Sequence, residues 1–125
     1  MIIILLGTND YYSWPYPTQN EFIAGYLTMM HNIVSSYRYL PAALQPTVIN
    51  FCGGTMDNDR APCPNVQQAS QLFGATSYKK TYYVEIGQTW LRYPEDYGCL
   101  DHRNLKGQQI LAAKLLPYVK KIMNW

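Results

Sequence analysis

The chain begins with Met1-Ile-Ile-Ile-Leu-Leu-Gly-Thr-Asn-Asp10, an apolar run that ends in a polar turn. Consecutive isoleucines are β-branched, and an uninterrupted apolar run of this length predicts a strand that is buried on both faces. Strands of this kind belong to parallel sheets, where ligands bind outside the carboxyl ends of the strands. Gly7, Asn9 and Asp10 directly follow the predicted strand and are therefore candidates for a functional site.

The rest of the chain alternates between helical and strand patterns. The predicted elements follow in the order helix 19–37, strand 47–52, short helix from 65, strand 80–86 and helix 105–123. Thr18 and Glu21 match a capping box, Asn65 is the expected cap of the short helix, and Pro117 is expected to kink or break the last helix. The order predicts a single α/β domain over 1–125, in three α/β/α layers around a short parallel sheet.

Composition limits the classes of partner. With 125 residues, of which 48% are hydrophobic, the chain can bury a core. A formal charge of +2 is too small to indicate a nucleic-acid partner. No apolar run reaches the roughly 18–20 residues that a membrane span needs, and Met1–Leu6 lacks the length and basic start of a signal peptide. We therefore expect neither nucleic acid nor a membrane as a partner.

The cysteines and acidic residues do not form a metal motif. The chain has no Cys-x-x-Cys and no His pair at ligand spacing, and Asp57 and Asp59 lack the distal Glu of a calcium loop. No metal or organic cofactor is expected. Cys52 and Cys63 flank a loop that a disulfide would close in a secreted protein, although spacing alone does not establish the bond. Cys99 would then be free, or its partner would lie outside this chain.

A second polar cluster, Tyr97-Gly-Cys-Leu-Asp-His-Arg-Asn104, directly precedes the last predicted helix. Both clusters follow strands, so both are expected at the same edge of the sheet. The Asn9 amide can donate to a developing oxyanion and the His102 imidazole can transfer protons, which together suit acyl transfer. The alternatives are that Asn9 is a turn residue or helix cap and that His102 is a surface residue capping the last helix.

These clusters resemble two motifs of one superfamily. Gly-Thr-Asn-Asp at 7–10, after an apolar strand, resembles the third sequence block of the SGNH (GDSL-type) esterases and lipases. Asp-His-Arg-Asn at 101–104 resembles the last block, which carries the catalytic His. The stretch 94–102 is most similar to carbohydrate acetyl esterases of the acetylxylan type, whose Gly-Cys-x-x-His element is matched by Gly98, Cys99 and His102.

The resemblance implies a three-layer, flavodoxin-like SGNH-hydrolase fold, represented here by its C-terminal part. It implies hydrolysis of a small ester or an acetylated carbohydrate without a cofactor. By position, Asn9 would contribute to the oxyanion hole, and His102 would act as general base and then as general acid. Gly7, Asp10 and Asp101 would support these two residues.

The sequence departs from the superfamily pattern at the nucleophile and at the partner of the histidine. No Gly-Asp-Ser block occurs, and no serine follows a predicted strand in that context; the serines are Ser13, Ser35, Ser36, Ser70 and Ser77. The position three residues before His102, usually an Asp, is Cys99. Asp101 is adjacent to His102, and neighbouring side chains usually diverge, so a backbone carbonyl is the other candidate to orient the imidazole.

The superfamily sheet has five strands, of which this chain would supply the last three. The Met1–Leu6 strand would then present an unpaired apolar edge, which favours aggregation. We therefore expect an N-terminal segment missing from this chain, or a pairing partner, along that edge. The alternative function is a catalytically inactive carbohydrate- or protein-binding module on the same scaffold, and a Gly-Asp-Ser block in the upstream coding sequence would distinguish the two.

Overall fold

The computed structural model describes residues 1–54 and 60–125. In these ranges three strands form one parallel sheet in the order β1-β2-β3, with β1 at Ile2–Ile4, β2 at Val48–Gly53 and β3 at Thr81–Ile86. Three α-helices accompany the sheet, with α1 at Gln19–Ser35, α2 at Cys63–Thr76 and α3 at Leu105–Met123. The predicted α/β class and the short parallel sheet are confirmed.

Helices cover both faces of the sheet because side chains alternate along β2. On one face, Ile4, Val48 and Cys52 pack against α1 and α2. On the other face, Ile49 and Phe51 pack against α3. Two further sets complete the two cores: Phe22, Met30, Val66 and Phe73 on the first face, and Val84, Ile86, Leu111 and Val119 on the second. The expectation of three layers is therefore correct.

Local signals set the start of α1 but not that of α2. At α1 the Thr18 hydroxyl accepts from the Glu21 N–H at 3.3 Å, and the Glu21 carboxylate accepts from the Thr18 N–H at 2.9 Å, which completes the capping box. The prediction that Asn65 caps the next helix is wrong. Pro62 is the N-cap of α2, and the Asn65 amide instead donates to the Tyr11 hydroxyl at 2.6 Å.

The expected break at Pro117 is also absent, and α3 is one helix from Leu105 to Met123. Pro117 removes a backbone donor, but Leu111 and Val119, on either side of it, are buried against the sheet. Packing along the whole helix therefore outweighs the loss of one hydrogen bond.

A buried amide lies at the centre of the sheet. Asn50 is fully buried in β2, and its oxygen accepts from the Tyr26 hydroxyl at 3.0 Å. Its amide nitrogen lies 3.4 Å from the Tyr82 carbonyl oxygen, to which it donates. Burial, with a smaller contribution from Tyr83, raises the pKa of Tyr26 above its ordinary value, so the hydroxyl remains a donor. The pair fixes α1 against the sheet, because either partner alone would be an unsatisfied buried group.

The sequence predicts that β1 is buried on both faces, but the structure buries only one face. Ile4 is buried against α1 and α2, but Ile3, which points to the α3 side, is 51% exposed. Leu5, on the same side as Ile3, is 38% exposed. The Ile2 N–H donates to Thr47 of the β1–β2 ladder at 2.8 Å, so strand alternation directs the Ile3 N–H to the open edge. Helix α3 thus covers β2 and β3, while one face and one edge of β1 are uncovered.

Across residues 1–54 and 60–125, no helix combines the length and apolar character needed to cross a membrane.

Candidate active site

The turn after β1 depends on a glycine. Gly7 has a φ of 115°, in a region that side chains rarely adopt, and a Cβ there would lie 3.0 Å from both Phe22 and Pro62. The chain then enters a 3₁₀ helix, Thr8–Tyr11, that carries Asn9 and Asp10 with exposed side chains. Gly7 therefore allows the turn to pack closely on Phe22 and Pro62, and its support of a functional Asn9 stays a prediction.

Asn9 does not cap α1, because Thr18 does so. Its backbone carbonyl oxygen accepts from the Tyr12 N–H at 3.3 Å, within the 3₁₀ helix. The side chains of Asn9 and Asp10 form no hydrogen bond with the described part of the chain. The Asn9 amide can therefore donate to or accept from a bound molecule, and the Asp10 carboxylate can accept from one.

The second cluster forms a tight turn in the loop between β3 and α3. Tyr97 and Arg103 pair as an antiparallel bridge, and the Gly98 N–H donates to the His102 carbonyl at 2.7 Å. Leu100 and Asp101, at the tip, have φ values of 52° and 58°. We call residues 97–103 the histidine turn. It includes His102, whose side chain is exposed.

Asn104 anchors the histidine turn to α3. Its side-chain amide donates to the carbonyls of Glu95 and Tyr97 at 2.9 and 3.0 Å, and its oxygen accepts from the Gly107 N–H at 2.9 Å. Asn104, not His102, is therefore the N-cap of α3, and the alternative of His102 as a helix cap is wrong.

A buried carboxylate fixes the other side of the same junction. Asp96 is 1% exposed, lies 2.8 Å from the Lys106 ammonium and accepts from the Arg92 N–H at 2.8 Å. The Lys106 interaction, followed by the Arg92 hydrogen bond, holds the pKa of Asp96 below its ordinary value. A Cβ on Gly107 would collide with the Asp96 carbonyl oxygen, so this close approach requires glycine.

Asp101 is engaged by a tyrosine. Its carboxylate accepts from the Tyr93 hydroxyl at 3.1 Å, and this hydrogen bond raises the pKa of Tyr93. This contact agrees with the expectation that the side chains of Asp101 and His102 point in different directions. A role of Asp101 in orienting His102 stays a prediction.

Two of the cysteines are paired. Cys52, in β2, and Cys63, at the start of α2, form a disulfide with their Cα atoms 5.3 Å apart. Cys99 is exposed and lies outside a disulfide. Within residues 1–54 and 60–125, no group of three His, Cys, Asp or Glu side chains could hold a metal ion. Asp57 and Asp59 lie outside the described residues.

Asn9 lies just after β1, and His102 lies in the loop between β3 and α3. Gly7 packs on Pro62, just before α2, and the loop after β3 contacts the first turns of α3 around Asp96 and Lys106. Since β2 separates β1 from β3, the strands that lead to Asn9 and His102 stand about 10 Å apart. Convergence of the Asn9 amide and the His102 imidazole on one acyl group stays a prediction.

No family model matches the sequence, and no curated protein is significantly similar to it. The solved structures give a different result. The chain shares its fold with a carbohydrate esterase. That structure is an active-site mutant of a family two carbohydrate esterase from Clostridium thermocellum, solved "in complex with celluohexase", and it aligns with a TM-score of 0.79 at 21% identity. The alignment covers 98% of this chain and 36% of that esterase chain, so the chain spans about a third of its length.

Sequence reasoning missed the residues that hold the histidine turn in place. Asp96 and Lys106 lie ten positions apart, on a loop and a helix, at a spacing that no local pattern marks. Asn104 belongs to the Asp-His-Arg-Asn motif, but its three hydrogen bonds depend on loop carbonyls whose positions the sequence does not reveal. The one available signal was an Asn three residues before Gly107, which is typical of a helix start.

Proposed function

We propose that this chain is the C-terminal part of a serine ester hydrolase of the SGNH type that removes acetyl groups from carbohydrate. The observation that carries the proposal is the fold shared with a carbohydrate esterase over 98% of the chain. The element order supports it, because Asn9 follows β1, His102 follows β3, and ligands of parallel α/β sheets bind outside the carboxyl ends of the strands. Both side chains are exposed and available to a substrate.

In the proposed mechanism, a serine from outside this chain attacks the acetyl carbonyl. The His102 imidazole takes the serine proton and transfers it to the leaving sugar oxygen as the ester C–O bond breaks, which leaves an acetyl-serine. His102 then takes a proton from a water that attacks the acetyl-serine, and it returns a proton to the serine as acetate leaves. The Asn9 amide donates a hydrogen bond to the tetrahedral oxyanion. The Asn104 anchor contributes by holding the histidine turn, so that the imidazole is positioned before the substrate arrives.

The missing serine would arrive with a segment that covers β1. The exposed edge of Met1–Leu6 offers the Ile3 N–H and carbonyl for pairing, and the uncovered apolar face at Ile3 and Leu5 offers a surface for packing. An added parallel strand would satisfy the edge, and a helix would cover the face. The esterase that shares this fold is long enough to contain both, since this chain matches 36% of it.

The test uses the protein extended upstream of Met1 to include the serine segment. His102→Ala should abolish hydrolysis of p-nitrophenyl acetate, and Asn9→Ala should slow it by about 10²–10³-fold. His31→Gln is the matched control, since His31 is an exposed histidine of α1 that packs on Phe73. Full activity of the His102 variant, or a loss below about threefold for the Asn9 variant, would refute their roles. An upstream sequence without a Gly-Asp-Ser block would favour the binding module instead.

A further inference from the structure

A groove of about 330 Å³ lies between the loop after β3 and the first half of α3. Trp90, Arg92 and Asp96 line it from the loop, and Lys106 and Lys114 line it from the helix. Its volume lies at the small end of the range for ligand sites, about 300–1,000 Å³, which suits one sugar residue. The same loop carries the histidine turn, so the groove adjoins the proposed active site along the chain.

The groove carries an excess of positive charge. Its single acidic residue, Asp96, is buried and already accepts from Lys106 and from the Arg92 backbone. The exposed side chains of Arg92 and Lys114 form no ion pair or hydrogen bond within the described ranges, and the Arg92 charge makes only a small contribution to the lowered pKa of Asp96. A guanidinium binds a carboxylate through two parallel hydrogen bonds, and an ammonium adds a second charge. An anionic group therefore complements this surface.

The groove also has a fixed aromatic wall. Trp90 packs against the core on the α3 side of the sheet, with its ring 5.8 Å from that of Tyr118. A Cβ on Gly87 would collide with the indole, so glycine allows the ring to lie against the end of β3. A rigid, partly exposed indole offers an apolar face and a polar N–H, which suits a sugar ring.

We propose that this groove binds an acidic sugar residue, such as a hexuronic acid, with its carboxylate at Arg92 and Lys114 and its ring against Trp90. The inference rests on the proposed function and narrows it. The substrate would be an acetylated polysaccharide that carries uronic acid branches. The branch would occupy the groove while the acetyl group reaches the carboxyl edge of the sheet.

The experiment measures binding, not turnover, on the 125-residue chain by NMR titration. The probes are xylotriose bearing one glucuronic acid branch and unbranched xylotriose. The branched probe should bind about a hundredfold more tightly, which is about tenfold for each of the two charged contacts. Arg92→Gln and Lys114→Gln should each weaken its binding about tenfold, the loss expected for one charge-assisted hydrogen bond, and should leave xylotriose binding unchanged. The Arg92 variant retains the backbone N–H that binds Asp96.

Lys120→Gln is the control, because it removes one exposed charge from the same helix outside the groove. Equal affinity for the two probes would overturn the inference. An equal loss in the Lys120 variant would also overturn it, since binding would then follow net charge. Either result would leave the esterase proposal standing, because that proposal is tested separately by p-nitrophenyl acetate hydrolysis. Full hydrolysis of p-nitrophenyl acetate by the His102→Ala variant, with intact discrimination between the two sugar probes, would reject the esterase proposal alone.

Discussion

Removal of the Cys52–Cys63 disulfide should lower the free energy of unfolding by about 3 kcal/mol. The two cysteines are separated by 11 residues, and a loop of that size loses about 9 cal/mol/K of entropy in the unfolded chain when it is closed. For a protein of 125 residues, with an unfolding entropy of about 2.1 cal/mol/K per residue, this corresponds to a melting temperature about 10 °C lower. The disulfide also holds Pro62, which contacts Gly7, close to the end of β2.

The assay is urea and thermal unfolding followed by circular dichroism, with and without a reductant. A Cys52→Ala, Cys63→Ala double variant should lose slightly more stability than the reduced protein, because both sulfurs also pack in the core of α1 and α2. Cys99→Ala should retain the full response to reductant, since Cys99 is exposed and unbridged. Three reactive thiols in the denatured, unreduced protein, or a melting temperature that reductant does not change, would show that the reasoning is wrong.

Three further predictions concern the junction and the open strand. The contribution of Asp96 to stability should be full above its ordinary pKa of 3.8 and should be lost as pH falls through its lowered pKa. Asp96→Asn and the parent should therefore converge in urea titrations as the pH falls below 3.8. Gly107→Ala should destabilise the protein by about 1–3 kcal/mol through collision with the Asp96 carbonyl; unchanged stability in the same titration would contradict that contact. The Ile3 amide should exchange with deuterium quickly in this chain and slowly in the upstream-extended protein, and equal exchange rates would exclude strand pairing at β1.

The sequence predicted the elements whose signals are local. The capping box at Thr18 and the apolar periodicity located α1, and the last helix was placed at its observed bounds of Leu105–Met123. The start of α2 was misplaced because the prolines that begin it, Pro62 and Pro64, are also typical of loops.

Other features depend on residues that are distant in sequence. The apolar pattern of Met1–Leu6 predicts a strand suited to burial. Burial also requires neighbouring elements, and no described element covers Ile3 on the α3 side of the sheet, where it is 51% exposed. The hydrogen bond between Tyr26 and Asn50 joins a helix to a strand 24 residues away. The order of elements predicted which loops carry Asn9 and His102, whereas the contacts that hold each loop were not predictable.

Asn104 has a consequence for any attempt to transplant the histidine turn into another scaffold. One amide side chain binds two loop carbonyls and the Gly107 N–H in the first turn of α3, so the order of the histidine turn depends on a helix that lies outside it. A graft limited to residues 97–103 would lack Asn104 and would lose the hydrogen bonds that hold the turn. Fraying of the first helical turn would likewise loosen the turn that carries His102, so the position of the imidazole depends on the integrity of a neighbouring helix.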